Sequence, residues 1–107
     1  VYLVKKLKKH GLDYACVSSG GIIPKTNMVF KSGYQVHLAR KIKKRTGIIT
    51  RTAGMITNYK QAFKIVNNGS ADLVAMARTF INNPNWLIKV NNKDNKVIIP
   101  KQYKRCF

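Results

Sequence analysis

Acidic residues are nearly missing from this chain. Its 107 residues carry three Asp+Glu against 21 Lys+Arg, a formal charge of +18. Such a surface attracts polyanions in a salt-dependent way. It does not specify a nucleic-acid role, because the lysines mostly take surface positions on helices and the many Asn and Ile residues fit a bias toward AT-rich codons. Cysteine is also scarce. Cys16 and Cys106 lie far apart, and no spacing resembles a zinc-ligand set. A reducing, cytoplasmic compartment is the default expectation. Cys16 sits in an apolar run and is expected in the core. No apolar run approaches the ~20 residues that span a bilayer. No secretory signal is visible, because the N-terminus reads as an amphipathic helix. His10 and His37 stand in no Ser/His/Asp or Cys/His arrangement for nucleophilic catalysis, and both are expected to face solvent. The length allows one small domain, and a hydrophobic content of 45% excludes a disordered tail.

Helix and strand alternate along the chain. Residues 1–10 read as a helix with Tyr2, Leu3 and Leu7 on one face, ended by His10-Gly11. The chain opens on Val1 inside that pattern, which suggests the C-terminal piece of a longer protein. Leu12 to Val17 reads as a buried strand, Ser18 to Gly21 as a turn and residues 22–33 as a loop. Residues 34–45 form a helix with Val36, Ala39 and Ile42 inward, stopped by Gly47. Ile48 to Ala53 is the second strand. Asn58 to Val66 is a helix capped by Thr57 or Asn58, with Ala62, Phe63 and Val66 as its buried stripe. Ala71 to Ala77 is the third strand. Short helices follow near Arg78 to Ile81 and Trp86 to Val90, around Asn83-Pro84, and Trp86 is expected to pack. Apolar strands alternating with amphipathic helices imply a parallel sheet. Three βα units fit the end of a (β/α)8 barrel or part of an open doubly wound sheet. A lone partial barrel would expose apolar surface, so the piece is expected to be unstable alone.

The chemistry concentrates at two strand ends. If the second and third strands are parallel neighbours, Gly54 and Arg78 follow adjacent C-terminal ends. Glycine lets an anion approach the backbone closely, and arginine presents a fork of donors suited to phosphate. In a (β/α)8 barrel the loops after the last two strands commonly bind phosphate. The bland reading makes Gly54 a turn residue and Arg78 a surface residue.

Ordered motifs decide between these readings. Leu-Asp-Tyr-Ala-Cys-Val-Ser-Ser-Gly-Gly at 12–21 precedes Gly-Tyr-Gln-Val at 33–36 and Ala-Gly-Met-Ile-Thr at 53–57. Asn-Gly-Ser-Ala-Asp-Leu-Val at 68–74, Ala-Arg at 77–78, Asn-Pro-Asn-Trp at 83–86 and Gln-Tyr-Lys-Arg at 102–105 follow. In this order they resemble the old yellow enzyme family of flavin-dependent oxidoreductases, in its NADPH dehydrogenase (xenobiotic-reductase-like) subgroup, over essentially the whole chain. The resemblance implies an α/β fold, the last three βα units of a TIM (β/α)8 barrel. Residues 1–107 would be the C-terminal portion of one FMN-binding domain whose N-terminal part lies upstream. It implies that Gly54 and Ala77 offer backbone N–H groups, and Arg78 its guanidinium, to the FMN phosphate. Arg105 would reach a substrate site across a subunit interface in a homo-oligomer. The cofactors implied are FMN and NADPH, and the electrophile is an activated alkene or similar small molecule.

The family usually has glycine where this chain has Ala77, and a small residue where it has Arg51. A charge on a barrel strand requires an exit or a partner. The final aromatic, usually tryptophan, is Phe107. The family's substrate-binding histidines and proton-donating tyrosine have no counterpart here, so no catalytic residue is placed and the fragment alone is expected to be inactive. Ser18 and Ser19 end a strand at the same mouth, where a structural turn is their expected role. Two alternatives remain from the residues themselves: a small basic nucleic-acid-binding module, and a barrel enzyme that takes a phosphorylated ligand without flavin.

Overall fold

The computed structural model describes residues 1–20, 29–94 and 101–102. They fall into two compact units, 1–76 and 77–107. In the first unit, α1 (Tyr2–Lys9), β1 (Tyr14–Val17), α2 (Val36–Thr46), β2 (Ile49–Thr52), α3 (Tyr59–Asn67) and β3 (Leu73–Val74) alternate along the chain. The strands form one parallel sheet in the order β1-β2-β3. Tyr14 pairs with Ile49 and Cys16 with Arg51, and Arg51 then pairs with Leu73.

The capping chemistry agrees with the sequence. Gly47 closes α2 in the left-handed region, at φ 61°, where glycine meets no Cβ penalty. The Asn58 side chain accepts from Gln61 N at 2.9 Å and so caps α3. Lys8 Nζ donates to Thr46 O at 2.9 Å and ties α1 to the end of α2.

One face of the sheet is buried. Ala15, Val17, Thr50 and Thr52 lie there with Ala39 of α2 and Ile65 of α3. The other face is open: Tyr14, Ile49 and Leu73 are 43%, 53% and 47% exposed. Parallel sheets are ordinarily covered on both faces, so the fully buried strands read from the sequence prove to be half-covered. Cys16 is exposed on this open face, which corrects its expected core position. Even residues of β1 face away from the helices, while Ala15 and Val17 face them.

The stripe of α3 also needs correction. Ile65 is the buried residue, and its carbonyl accepts from Ser70 N and Ala71 N as the chain turns into β3. Phe63 and Val66 are about half exposed, because on a helix of 3.6 residues per turn they lie roughly 160° and 100° round from Ile65, on the same flank. Phe63 packs its ring on Tyr59 along that flank, at 5.7 Å. The apolar face of α1 is likewise open, with Tyr2 and Leu3 exposed.

The second unit contains α4 (Ala77–Asn82) and α5 (Trp86–Asp94). Trp86 meets Phe80 edge-on at 5.7 Å, the packing role expected of it. Ala77, read from sequence as the end of a strand, is instead the first residue of α4, because β3 is only two residues long. No helix among the described residues is long and apolar enough to cross a membrane.

Candidate functional site

The C-terminal ends of β1 and β2 gather around the segment that leads into α2. Gly54 follows β2 at φ +102°, a conformation that L side chains rarely adopt. A methyl group on Gly54 would lie 2.6 Å from Tyr34 Cε1 and 2.7 Å from Gln35 Nε2. The backbone angle therefore calls for glycine, and a side chain there would also have to displace Tyr34 and Gln35. The Gly54 carbonyl accepts from Gly33 N at 3.1 Å. Among the described residues its N–H has no hydrogen-bond acceptor. Met55 follows at φ 52°, also left-handed, and backbone held in such regions concentrates at ligand sites.

Neutral side chains hold the cluster together. Gln35 is buried, and its Oε1 accepts from Ser19 N, which fixes the chain just after β1. Gln61 Nε2 donates to Ser32 Oγ at 2.8 Å, and Gln61 Oε1 accepts from Thr57 N at 3.3 Å. The segment before α2, the loop after β2 and the start of α3 are thereby joined. Thr52 Oγ1, two residues before Gly54, is buried with no hydrogen-bond partner among the described residues. No carboxylate takes part in any of these contacts.

The opposite end of the sheet is organised by one acid. Asp72 Oδ2 accepts from Thr50 N at 2.9 Å, and Asp72 Oδ1 pairs with Lys43 Nζ at 2.8 Å. The hydrogen bond from Lys43, then that from the Thr50 amide, hold the Asp72 carboxyl below the usual carboxylate range.

Ala77 and Arg78 open α4 in the second unit, and both are exposed. Of the residues expected at the phosphate, Gly54 belongs to the first unit and Ala77 and Arg78 to the second. Arg105, Phe107 and Cys106 lie outside the described residues, as do residues 21–28 and with them most of the loop expected at 22–33. His10 and His37 are exposed, as expected. Among the described residues no group of His, Cys, Asp or Glu is arranged to hold a metal ion.

Arg51 finds its partners on the open face. Its Nε and Nη2 donate to Cys16 Sγ at 3.3 and 3.2 Å, and its guanidinium lies 5.8 Å from the centre of the Tyr14 ring. The bond to Cys16 is the main influence raising the Arg51 pKa above its already high ordinary value. A separate open cleft of about 500 Å³ runs between α2 and α3. Lys31, Arg40 and Lys64 line it above an apolar floor of Val36 and Ile65. Gly33 and Tyr34, which contact Gly54, also line it.

The cluster offers a backbone amide at a glycine, on a strand end, and no carboxylate takes part in its contacts, which are features that favour an anion. Sequence reasoning named Gly54 but gave Gln35 no role. The signal was present: Gln35, Ala39 and Ile42 stand at i, i+4 and i+7, so a polar residue occupies the inward stripe of α2.

Residues 1–96 match the NADH:flavin oxidoreductase / NADH oxidase family. An NADPH dehydrogenase of Geobacillus thermodenitrificans (strain NG80-2) is 39% identical over 103 residues, 95% of this chain and 30% of that protein. One from Halalkalibacterium halodurans is 41% identical over 108 residues, 100% of this chain and 32% of that protein. Another, from Geobacillus sp. (strain WCH70), is 43% identical over 82 residues, 77% of this chain and 24% of that protein. The chain therefore spans about a third or less of the length of these relatives.

Proposed function

The chain belongs to the NADH:flavin oxidoreductase / NADH oxidase family, and on that premise we propose that it is the C-terminal part of an FMN-dependent NADPH oxidoreductase built as a (β/α)8 barrel. The family match and the names of the relatives support the flavin and NADPH assignments. The parallel βα repeat supports the barrel, and so does a sheet with one uncovered face, because strands closing a barrel would cover it.

In this reading Gly54 donates its backbone N–H to the FMN phosphate. Ala77 adds a backbone donor and Arg78 a guanidinium. Bound FMN supplies the hydride chemistry, taking hydride from NADPH and passing it to an activated alkene or similar electrophile. The residues of this chain hold and orient the phosphate end and exclude water from it. Arg105 contributes to the substrate site of a neighbouring subunit in a homo-oligomer that works in the cytoplasm.

The observation that carries this reading is Gly54: a strand-end glycine at φ +102°, where an added side chain would be strained and would force Tyr34 and Gln35 to shift. Gel-filtered full-length gene product is expected to retain FMN, and its yellow colour is expected to bleach when NADPH is added without oxygen. A full-length product that binds FMN but is not reduced by NADPH overturns the activity. One that binds no flavin overturns the assignment altogether.

A further inference from the structure

Gln35 does two jobs at one point. Its backbone carbonyl starts α2, accepting from Leu38 N and Ala39 N at 3.1 and 3.2 Å. Its side chain turns the other way and is only 3% exposed together with the backbone. Oε1 takes the amide of Ser19, beyond the end of β1. Nε2 presses against Gly54, beyond the end of β2, so closely that a single added methyl would sit 2.7 Å away. One neutral side chain therefore spans two adjacent strand ends and forms the wall beside the glycine amide. A buried amide side chain that loses a partner leaves the other group unsatisfied, so the contact to Ser19 is costly to break.

We propose that Gln35 is the positioning residue of the phosphate end of the flavin site: it fixes the Gly54 N–H relative to the loop after β1. The inference rests on the flavin reading above. Gln35 acts through Gly54 and Ser19. Its neutrality matters as much as its length, because a carboxylate in its place would face a phosphate dianion.

The test compares FMN with riboflavin, which lacks the phosphate, by quenching of flavin fluorescence in the full-length gene product. The parent is titrated first. A parent that binds no FMN overturns the flavin reading and this inference with it, before any variant is made. In Gln35→Met, which keeps the length and removes the acceptor for Ser19, FMN is expected to bind about tenfold more weakly, the scale of one orphaned buried amide. Riboflavin affinity is expected to stay within about twofold on the same scale, and the 31P resonance of bound FMN to shift. A general loss of stability would weaken both flavins alike. Equal weakening of the two, or no change in either, overturns the proposal. If Gln35→Met does not fold, Gln35→Glu keeps an acceptor for Ser19 while adding charge. It is expected to weaken FMN selectively, more at low salt than at high salt, and an unchanged ratio of FMN to riboflavin affinity overturns the proposal there too.

Discussion

The two ends of the β1–β2–β3 sheet are held by opposite means. At the N-terminal end a single carboxylate, Asp72, gathers the Thr50 amide and the Lys43 ammonium. At the C-terminal end neutral amides, Gln35 and Gln61, join loops whose backbone passes through left-handed angles at Gly54 and Met55. The first arrangement is fully paired. The second leaves the Thr52 hydroxyl buried without a partner among the described residues. A chain with three acids and 21 basic residues places one of those acids where it locks structure. It keeps carboxylates away from the contacts at the end where a phosphate would bind. In (β/α)8 barrels this division is general: the C-terminal ends of strands carry ligands and the N-terminal ends carry stability.

The largest effect is expected from Gly54→Ala. Forcing a side chain into φ +102° and against Tyr34 costs on the order of 1–3 kcal/mol of backbone strain alone. In the full-length protein, FMN affinity measured by fluorescence titration should fall by roughly two orders of magnitude, and thermal denaturation should show a lower midpoint. A variant that still binds FMN like the parent would break the contrast, because the C-terminal end would then be mere scaffold.

Asp72→Ala is the complementary substitution. It orphans the Thr50 amide, at a cost of about 1–3 kcal/mol in chemical denaturation. FMN affinity of the molecules that remain folded should not change. The pH dependence has a definite sign. The folded carboxyl titrates below its unfolded value, so its contribution is complete above the unfolded pKa, roughly 4, and is lost as pH falls through the lower folded value. Denaturation midpoints of the parent should therefore drop in that acid range more steeply than those of Asp72→Asn. Equal slopes would mean that the carboxylate is not the lock.

The smallest effect sharpens the contrast from the other side. Thr52→Val removes a buried hydroxyl that lacks a partner and should raise stability by about 1 kcal/mol in the same denaturation experiment. A loss of stability would show that the hydroxyl is satisfied in the full-length protein, and the C-terminal end would then be as well paired as the N-terminal end.

Much of this was legible in the residues. The alternation of α and β elements, the Gly47 stop and the Asn58 cap follow from local chemistry that the fold does not override. Gly54 was legible as a strand-end glycine. What the sequence hid depends on tertiary context. Cys16 and Arg51 lie in apolar strands, yet they face the uncovered side, and only the strand pairing brings their side chains together. Phe63 and Val66 look like core residues by type, but Ile65 sets the rotation of α3. Ala77 reads as strand because Leu73 to Met76 are apolar, although the ladder ends at Val74. Gln35 and Ser19 are 16 residues apart, so nothing local announces their bond.

One titration reaches furthest. Apo full-length gene product is mixed with FMN and, separately, with riboflavin, and the two dissociation constants are compared. A phosphate gripped by Gly54, Ala77 and Arg78 should make FMN bind at least about a hundredfold tighter, the equivalent of two charge-assisted hydrogen bonds. Equal affinities would mean that no phosphate is held there, and the strand-end glycine would be a turn and nothing more.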